Sequence, residues 1–481
     1  MSSPTQDIFP ADHRFQRHKR HDMASSSLAM TSFQLRIHRC LCLLVLSMIF
    51  EGVARKLAPQ SVGILIFFFK DLVAVVLLFL CLTGKPNPEA SRWLGVMGKF
   101  SALLVPCILL TAVNDPVLAV FGAKQYILFP IVAVAMCAAY VPNHRRELFS
   151  FFRLIVLSLF VTTLVAVAQN RLPADNWLNL SVAGDDLSGF SAGGYLRVSS
   201  TFSFVGQYCF YLNAMCYCLP VYFYFNKFFH GWAPNVQTVV LIGLTIVATF
   251  VTGSRASVIG NATMLSVGGL LAAFCGGGRG LIKIIAALIV GALLLLALQS
   301  LYPEFFAAYQ ARVEGHSESS HTVEIEKRVI GGLLDWTDGW EEAPPSLFGY
   351  GLGAMSNGSE KISAYAARWR DAGFWTETDQ ATTFFEGGWY LVLVWYGFRF
   401  WVVIHSLTLV LKLRDLEYRF IGCLAWGFIS IIGLQGTLSI QPPLSIWWWL
   451  AVGLIICLGH FDRGQPGKKQ TQDFNLNAGH I

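Results

Sequence analysis

Charged residues are scarce in this sequence. Only 13% of its 481 residues are Asp, Glu, Lys or Arg, whereas 54% are hydrophobic and the mean hydropathy is +0.54. Because soluble domains carry about 25% charged residues, this composition excludes an ordinary soluble protein and indicates a chain that crosses a membrane repeatedly. The net charge of +6 does not predict nucleic-acid binding, because basic residues between membrane spans serve to orient the chain.

Other signals are missing as well. No short apolar run with a cleavage site follows the polar N-terminus, so no removed signal peptide is predicted. None of the eleven cysteines lies in the long polar segment 302–386, and their spacings do not suit a metal. We therefore expect no disulfide framework in that segment, no metal and no cofactor, and interpret the cysteines as small apolar side chains within the spans.

Twelve apolar runs approach the ~20 residues that a membrane helix needs. Each must be helical, because amides in hydrocarbon have to be paired within their own segment. The runs lie at about 38–54, 61–83, 95–113, 118–140, 149–169, 203–225, 236–252, 257–275, 281–301, 387–411, 418–436 and 443–459. We therefore predict an all-α polytopic membrane protein that comprises a disordered tail (1–36), nine helices (37–301), a large outer loop (302–386), three helices (387–459) and a second tail (460–481).

The basic residues predict the orientation. With the N-terminus inside, most loop lysines and arginines face the cytoplasm, and the short outer loops keep only Arg55, Lys56, Arg171, Arg197 and Arg255. This asymmetry follows the positive-inside rule. It places both termini in the cytoplasm and the large loop in the periplasm, which makes the protein a multi-pass protein of the cell inner membrane.

The large loop is predicted to contain short helices. Residues 326–340 place apolar side chains on one face, which is typical of a helix on a membrane surface, and a second helix could begin at Ser359 as N-cap. The sequence FGYGLG at 348–353 is not a nucleotide loop, because no strand precedes it and no Gly-Lys-Ser/Thr follows. Its glycines indicate a tight turn or the close approach of another chain segment.

Several charged residues fall within apolar runs, where each costs on the order of 2.5–3.5 kcal/mol. They are Glu51, Lys70, Asp71, Lys124 and Arg399, and Arg55 directly follows the first run. Glu51 and Arg55 are four residues apart and can pair on one helical face, whereas the adjacent Lys70 and Asp71 need other partners. Two interpretations stay open: internal ion pairs that lock the bundle, or contacts with a charged substrate in an internal cavity.

Arg255 lies where an apolar run breaks, in VTGSRAS. A single arginine at such a break could anchor the chain at the membrane surface. It could also present a fixed cation, together with the free amides of a helix N-terminus, to a phosphate.

Four stretches together resemble the O-antigen polymerase and O-antigen ligase superfamily of bacterial membrane glycosyltransferases. They are FEGVARKLAPQ with FFFKD, then GGYLRVSSTFSF, then FVTGSRASV, and in the large loop EKRV, PSLFGYGLG and E-x8-EGG. The resemblance covers about residues 45–455 and implies about a dozen spans, one large outer loop, and glycan transfer from an undecaprenyl-diphosphate carrier without a metal.

The resemblance also implies roles for individual residues. Arg255 and Arg328 correspond to arginines that hold the diphosphate, and Arg197 looks like a third. Glu377 stands where the ligases carry a histidine and is expected to be the general base, with Asp379 as the alternative. Glu386 would orient Arg328 or the acceptor, unless it is only an acid favoured by a helix N-terminus.

The expected function is therefore a membrane glycosyltransferase that polymerises lipid-diphosphate-linked oligosaccharides for an exopolysaccharide or O-antigen. Such a role implies the lipid bilayer, the carrier-linked glycan, and polysaccharide-export or chain-length proteins as partners. One alternative is a ligase that transfers glycan to a lipid or protein. Another is a transporter or flippase, in which Lys70, Asp71 and Lys124 would line the path, although no related halves are visible.

Overall fold

The computed structural model describes residues 29–182, 184–185, 191–192, 195–230, 235–304, 306–307, 309–310, 346–374, 376 and 378–464. Most of the described chain is helical, so the predicted all-α class is confirmed. The helices are α1 (Ser32–Leu57), α2 (Gln60–Thr83), α3 (Pro88–Asn114), α4 (Pro116–Ile127), α5 (Ile131–Ala139), α6 (Arg145–Arg171), α7 (Val205–His230), α8 (Asn235–Val251), α9 (Arg255–Leu301), α10 (Ala364–Asp371), α11 (Asp379–Leu411), α12 (Leu416–Gln435) and α13 (Pro442–Arg463). Two short antiparallel strands, β1 (Ser191–Ala192) and β2 (Tyr195–Leu196), lie between α6 and α7.

Eight helices within the described ranges are long and apolar enough to span a bilayer, or nine when the bent pair α4–α5 is counted as one span. Their axes bend by 46° at residues 128–130, where Pro130 cannot donate a helical hydrogen bond. The runs at 203–225 and 236–252 form α7 and α8, which are helical but fall outside this set of eight. The chain is therefore a multi-pass helical membrane protein.

Helix α9 reverses its direction within its own length. A straight helix of its 47 residues would be about 70 Å long. Phe250, at the end of α8, lies just before the start of α9, yet its ring centroid is only 4.7 Å from that of Phe306, just after the end of α9. Both ends therefore lie side by side, and the chain turns back near the middle, where glycines occupy positions 276–278 and 280. The two arms correspond to the apolar runs 257–275 and 281–301.

The bundle has two distinguishable ends. At one, the loop segment 346–374 packs on the α3–α4 junction, where the amide of Leu352 donates to Thr111 Oγ1 at 2.8 Å. We call this the loop end. At the other, the far end, His460 Nε2 lies 2.9 Å from Glu89 Oε2, and Arg145 donates to the carbonyl of Phe461 at 2.9 Å.

Helix α13 forms the centre of the bundle. In its most apolar window 94% of the residues are buried, and its three consecutive tryptophans, Trp447–Trp449, are enclosed. Around it, α9 and α12 approach closely through glycines: a Cβ on Gly427 would lie 2.4 Å from the carbonyl oxygen of Met264. Small residues at such crossings let membrane helices pack backbone against backbone.

The loop helix begins later than predicted. Ser359 starts a single 3-10 turn, Ser359–Lys361, and the α-helix α10 begins after Ser363, whose hydroxyl caps it. The surface helix predicted at 326–340 lies outside the described residues. All eleven cysteines are free thiols, and none is exposed.

Candidate active site

The glycine-rich segment 346–351 docks onto a break in α11. Gly388 has φ 60° and ψ −160°, which interrupts the helix inside this candidate span. The freed backbone groups are paired by the loop: Tyr350 N donates to Phe385 O at 2.8 Å, and Tyr390 N donates to Leu347 O at 3.0 Å. Non-helical backbone at membrane depth is tolerated only where protein supplies such partners. The loop thus completes the broken helix.

Glycine is required at these contacts because the backbones touch. A Cβ on Gly388 would lie 2.1 Å from the carbonyl oxygen of Ser346, and one on Gly353 would lie 2.7 Å from the Cα of Gly122. Gly349 and Gly353 also have positive φ angles, of 68° and 84°, which residues with a Cβ adopt only with strain. The predicted close approach is confirmed, and the partners are the EGG motif and α4.

Glu386 lies buried directly before this break. Its Oε2 accepts a hydrogen bond from the Tyr126 hydroxyl at 2.8 Å, and its Oε1 accepts one from the amide of Met355 at 3.1 Å. The carboxylate therefore ties α4, the loop and α11 together. The helix α11 begins at Asp379, and its break at Gly388 places Glu386 two residues before the second helical part.

Asp379, the alternative base, is fully enclosed by partners. It forms a buried ion pair with Arg399, and its Oδ1 accepts from the amide and hydroxyl of Ser439 at 2.9 and 2.6 Å. Trp395 Nε1 donates to its Oδ2 at 3.1 Å. Donors occupy both oxygens, which favours a structural role for Asp379 over that of a base. Arg399 in turn donates to main-chain carbonyls near the end of α12.

A second buried pair joins α1 and α2. Glu51 Oε2 accepts from Lys70 Nζ at 3.0 Å, and its Oε1 accepts from Arg55 at 3.3 Å and from the Ser203 hydroxyl at 2.8 Å. The predicted pairing of Glu51 with Arg55 is confirmed. Both oxygens of Glu51 are occupied, so this cluster locks α1, α2 and the 197–204 segment together.

A third pair joins α2 and α4. Lys124 Nζ lies 2.5 Å from Asp71 Oδ2, and the ammonium stands over the rings of Phe68 and Phe121, at 4.7 and 4.6 Å from their centroids. The side chains of Lys124 and Asp71 keep 17% and 10% of their surface exposed. This pair is more open than the other two.

The segment that carries Arg197 enters the bundle as buried, non-helical chain. The hydroxyl of Thr201 donates to Ile49 O at 2.6 Å, and the amide of Ser200, at φ 54°, donates to Gln169 Oε1 at 2.6 Å. A Cβ on Gly52 would lie 2.0 Å from Phe202 O. Packing against α1 and α6 therefore fixes the backbone that follows Arg197.

Arg197 and Arg255 belong to two segments that both reach the start of α7. The span break predicted at VTGSRAS is confirmed: Gly253 has φ 61°, and α9 starts at Arg255. The thiol of Cys209, at the start of α7, lies beside Ser254 and within reach of the Arg197 charge. The segment that precedes Arg255 and the charge of Arg197 thus both act on the start of α7.

An apolar groove opens beside this region. It has a volume of about 500 Å³ and is formed by α6, α8 and the returning arm of α9, with Leu164, Val247, Leu298 and Tyr302 in its wall. Its wall also includes Thr163 of α6, and the neighbouring carbonyl of Thr162 accepts a hydrogen bond from Ser200. The groove therefore lies next to the segment that follows Arg197.

The loop is also tied to the α3–α4 junction. The hydroxyl of Ser363 donates to Asp115 Oδ2 at 2.5 Å. That hydrogen bond is the main reason why the pKa of Asp115 lies below its ordinary value. Asp115 Oδ1 accepts from the amides of Val117 and Leu118 as the N-cap of α4. One carboxylate thus holds the starts of α4 and α10 together.

Two of the predicted site residues lie outside the part of the chain that the structure describes. Arg328 and Glu377 are not among the described residues, and their roles stay predictions. Glu377 immediately precedes Thr378, the N-cap of α11. Tyr126 and Thr111 were missed by sequence reasoning, because each is one polar residue in an apolar helix and carries no motif.

Comparison of the chain with protein-family models, curated proteins and solved structures finds no match.

Proposed function

We propose that the protein is a glycosyltransferase of the inner membrane that polymerises lipid-diphosphate-linked oligosaccharide repeat units. The observation that carries this proposal is an apolar groove next to the buried segment that follows Arg197, together with Arg255 at the span break where α9 begins. Guanidinium groups bind phosphate bidentately, and α9 adds the amides of its N-terminus. A lipid with a diphosphate head matches both features.

The proposed reaction is displacement at an anomeric carbon. A hydroxyl of the acceptor glycan attacks this carbon, Glu377 takes up the hydroxyl proton, and the bond to the lipid diphosphate breaks. Arg255 and Arg328 neutralise the charge that develops on the departing diphosphate, an electrostatic effect that is often the largest in catalysis. The growing glycan stays attached to the carrier that supplied the acceptor.

The groove is assigned to the hydrocarbon chain of the carrier. Its wall is apolar, and its wall residues Phe160, Val161 and Leu164 are exposed on the outside of the bundle. A chain in this position would place its head group near the segment that follows Arg197. Leu164→Trp should therefore obstruct the groove and weaken the use of long-chain carriers.

The proposed topology has twelve crossings, with the large loop outside and both termini in the cytoplasm. The reversal of α9 supports two crossings by that helix, and helices α7 and α8 would supply two more. Arg145, Arg414 and Arg463 all contact partners at the far end. Their collection there matches a cytoplasmic face.

Purified protein in vesicles with lipid-diphosphate-linked repeat units tests the function. The expected product is a ladder of longer lipid-linked glycans, which Arg255→Ala should abolish at normal protein levels. The proposal is wrong if the protein moves these lipids across the bilayer but never lengthens the glycan.

A further inference from the structure

The three buried ion pairs of the bundle differ in how completely they are satisfied. Asp379 and Glu51 each have donors on both carboxylate oxygens. Asp71 uses only Oδ2, towards Lys124. Its Oδ1 is buried and has no donor within the described part of the chain. A buried carboxylate oxygen without a donor is costly, and such atoms call for an explanation.

The surroundings of this oxygen favour a particular ligand. Lys124 neutralises Asp71, so the pair has no net charge and would not attract a diphosphate. It offers one acceptor oxygen and the remaining donors of an ammonium group, between the rings of Phe68 and Phe121. A neutral hydroxyl group can accept from the ammonium and donate to the carboxylate.

The position relates the pair to the proposed active site. Lys124 lies on α4 between Gly122, which touches the backbone of the glycine segment, and Tyr126, which binds Glu386. The same short helix therefore carries the contacts to the loop and the open ion pair. A substrate held beneath the loop would lie next to it.

We propose that Asp71 and Lys124 form a saccharide-binding subsite, in which a sugar hydroxyl of the lipid-linked substrate accepts a hydrogen bond from the partly exposed Lys124 ammonium and, after a rotation of the carboxylate, donates one to Asp71 Oδ1. This assignment rests on the proposed glycosyltransferase function. It separates the charged residues of the spans into two kinds. Glu51, Lys70, Asp379 and Arg399 are structural, whereas Asp71 and Lys124 contact the neutral part of the substrate.

The test distinguishes an Asp71–Lys124 pair that binds the substrate from one that only stabilises the fold. Asp71→Val and Lys124→Met each leave one buried charge unpaired and should lower the amount of folded protein. The double variant Asp71→Val/Lys124→Met removes both charges and should recover folding, because an apolar pair of similar volume is tolerated. Its kcat/KM with lipid-linked repeat units should stay roughly 10- to 100-fold below that of the parent, chiefly through KM. Leu72→Ala, on the lipid-facing side of α2, is the matched control and should change neither quantity.

The outcomes are distinct. A double variant with parent-like kcat/KM would show that the pair is structural or holds only a water molecule, and would overturn the proposal. If the double variant does not fold, the exchanged variant Asp71→Lys/Lys124→Asp replaces it in the test. This variant keeps the ion pair but moves the carboxylate. Parent-like activity of the exchanged variant would also overturn the subsite. A parent protein that makes no polymer refutes the glycosyltransferase function itself, and the subsite falls with it.

Discussion

The hydroxyl of Tyr126 in α4 donates a hydrogen bond of 2.8 Å to Glu386 in α11, and both side chains are buried. Through this bond a residue of the short, bent span holds the carboxylate that also receives the loop amide of Met355. Three segments that are distant in sequence thus meet at one carboxylate, next to the break in α11. We therefore expect the loop end to depend on this junction.

Replacing Tyr126 by Phe should weaken the junction. The change leaves Oε2 of a buried carboxylate with one donor fewer, and a hydrogen bond to a charged group contributes about 1.5–3 kcal/mol. We expect a lower midpoint of thermal unfolding in detergent. Tyr390→Phe, which removes a hydrogen bond to Leu103 O at an exposed position, is the control and should shift the midpoint less. Equal shifts would contradict a special role for Glu386.

The break in α11 predicts that Gly388 cannot be replaced by a residue with a Cβ. Gly388→Ala places a Cβ 2.1 Å from Ser346 O at a positive φ, so the loop cannot dock without a backbone shift. Proteolysis within 346–374 should become faster. Gly397→Ala lies on the same helix with open space around it and should be neutral or slightly stabilising, because alanine favours helix over glycine by roughly 1 kcal/mol. Unchanged proteolysis of Gly388→Ala would refute the docking.

The two carboxylates near the start of α11 should behave differently. Asp379→Asn leaves Arg399 without its charge partner, and breaking a buried pair costs about 3–5 kcal/mol, so folded protein should be lost. Glu377→Gln should keep stability and reduce turnover by roughly 10²–10⁴-fold, as loss of a general base does. Stability and polymer formation are measured on both. Full activity of Glu377→Gln would mean that this position supplies no base.

The variant Arg255→Lys tests whether Arg255 binds phosphate or only anchors the chain at the membrane surface. An anchor needs only a long cationic side chain, so Arg255→Lys would then retain polymer formation. Bidentate binding of a diphosphate requires the guanidinium fork, and we expect Arg255→Lys to recover little of the activity lost in Arg255→Ala. Polymer yield is compared at equal protein levels in vesicles.

Reporter fusions check the proposed topology. Fusions after Arg20 and after Lys469 should report a cytoplasmic location, and a fusion after Met355 should report an external one. The physical reason is the excess of arginine and lysine on one face of the bundle. A cytoplasmic signal at Met355 would show that the loop end faces the cytoplasm and would contradict the proposed topology.

Local features of this fold could be predicted from sequence, whereas distant contacts could not. Glu51 and Arg55 pair because they are one helical turn apart, which the sequence reveals directly. Tyr126 and Glu386 are 260 residues apart, and nothing in either motif identifies the other. Hydropathy placed the start of the tenth span near residue 387, but α11 begins at Asp379. The helix extends beyond the apolar run because the polar residues of its first turns are buried against partners within the protein.

The backbone pairing between residues 346–351 and the broken helix α11 constrains how the protein can be made. Without that segment, the amides and carbonyls freed around Gly388 would meet hydrocarbon, where each unpaired group costs several kcal/mol. The ribosome synthesises the glycine segment before α11, and α3 and α4 earlier still. The partners of the broken helix are therefore already present when it enters the bilayer, and a permuted chain that delivered α11 first should insert poorly.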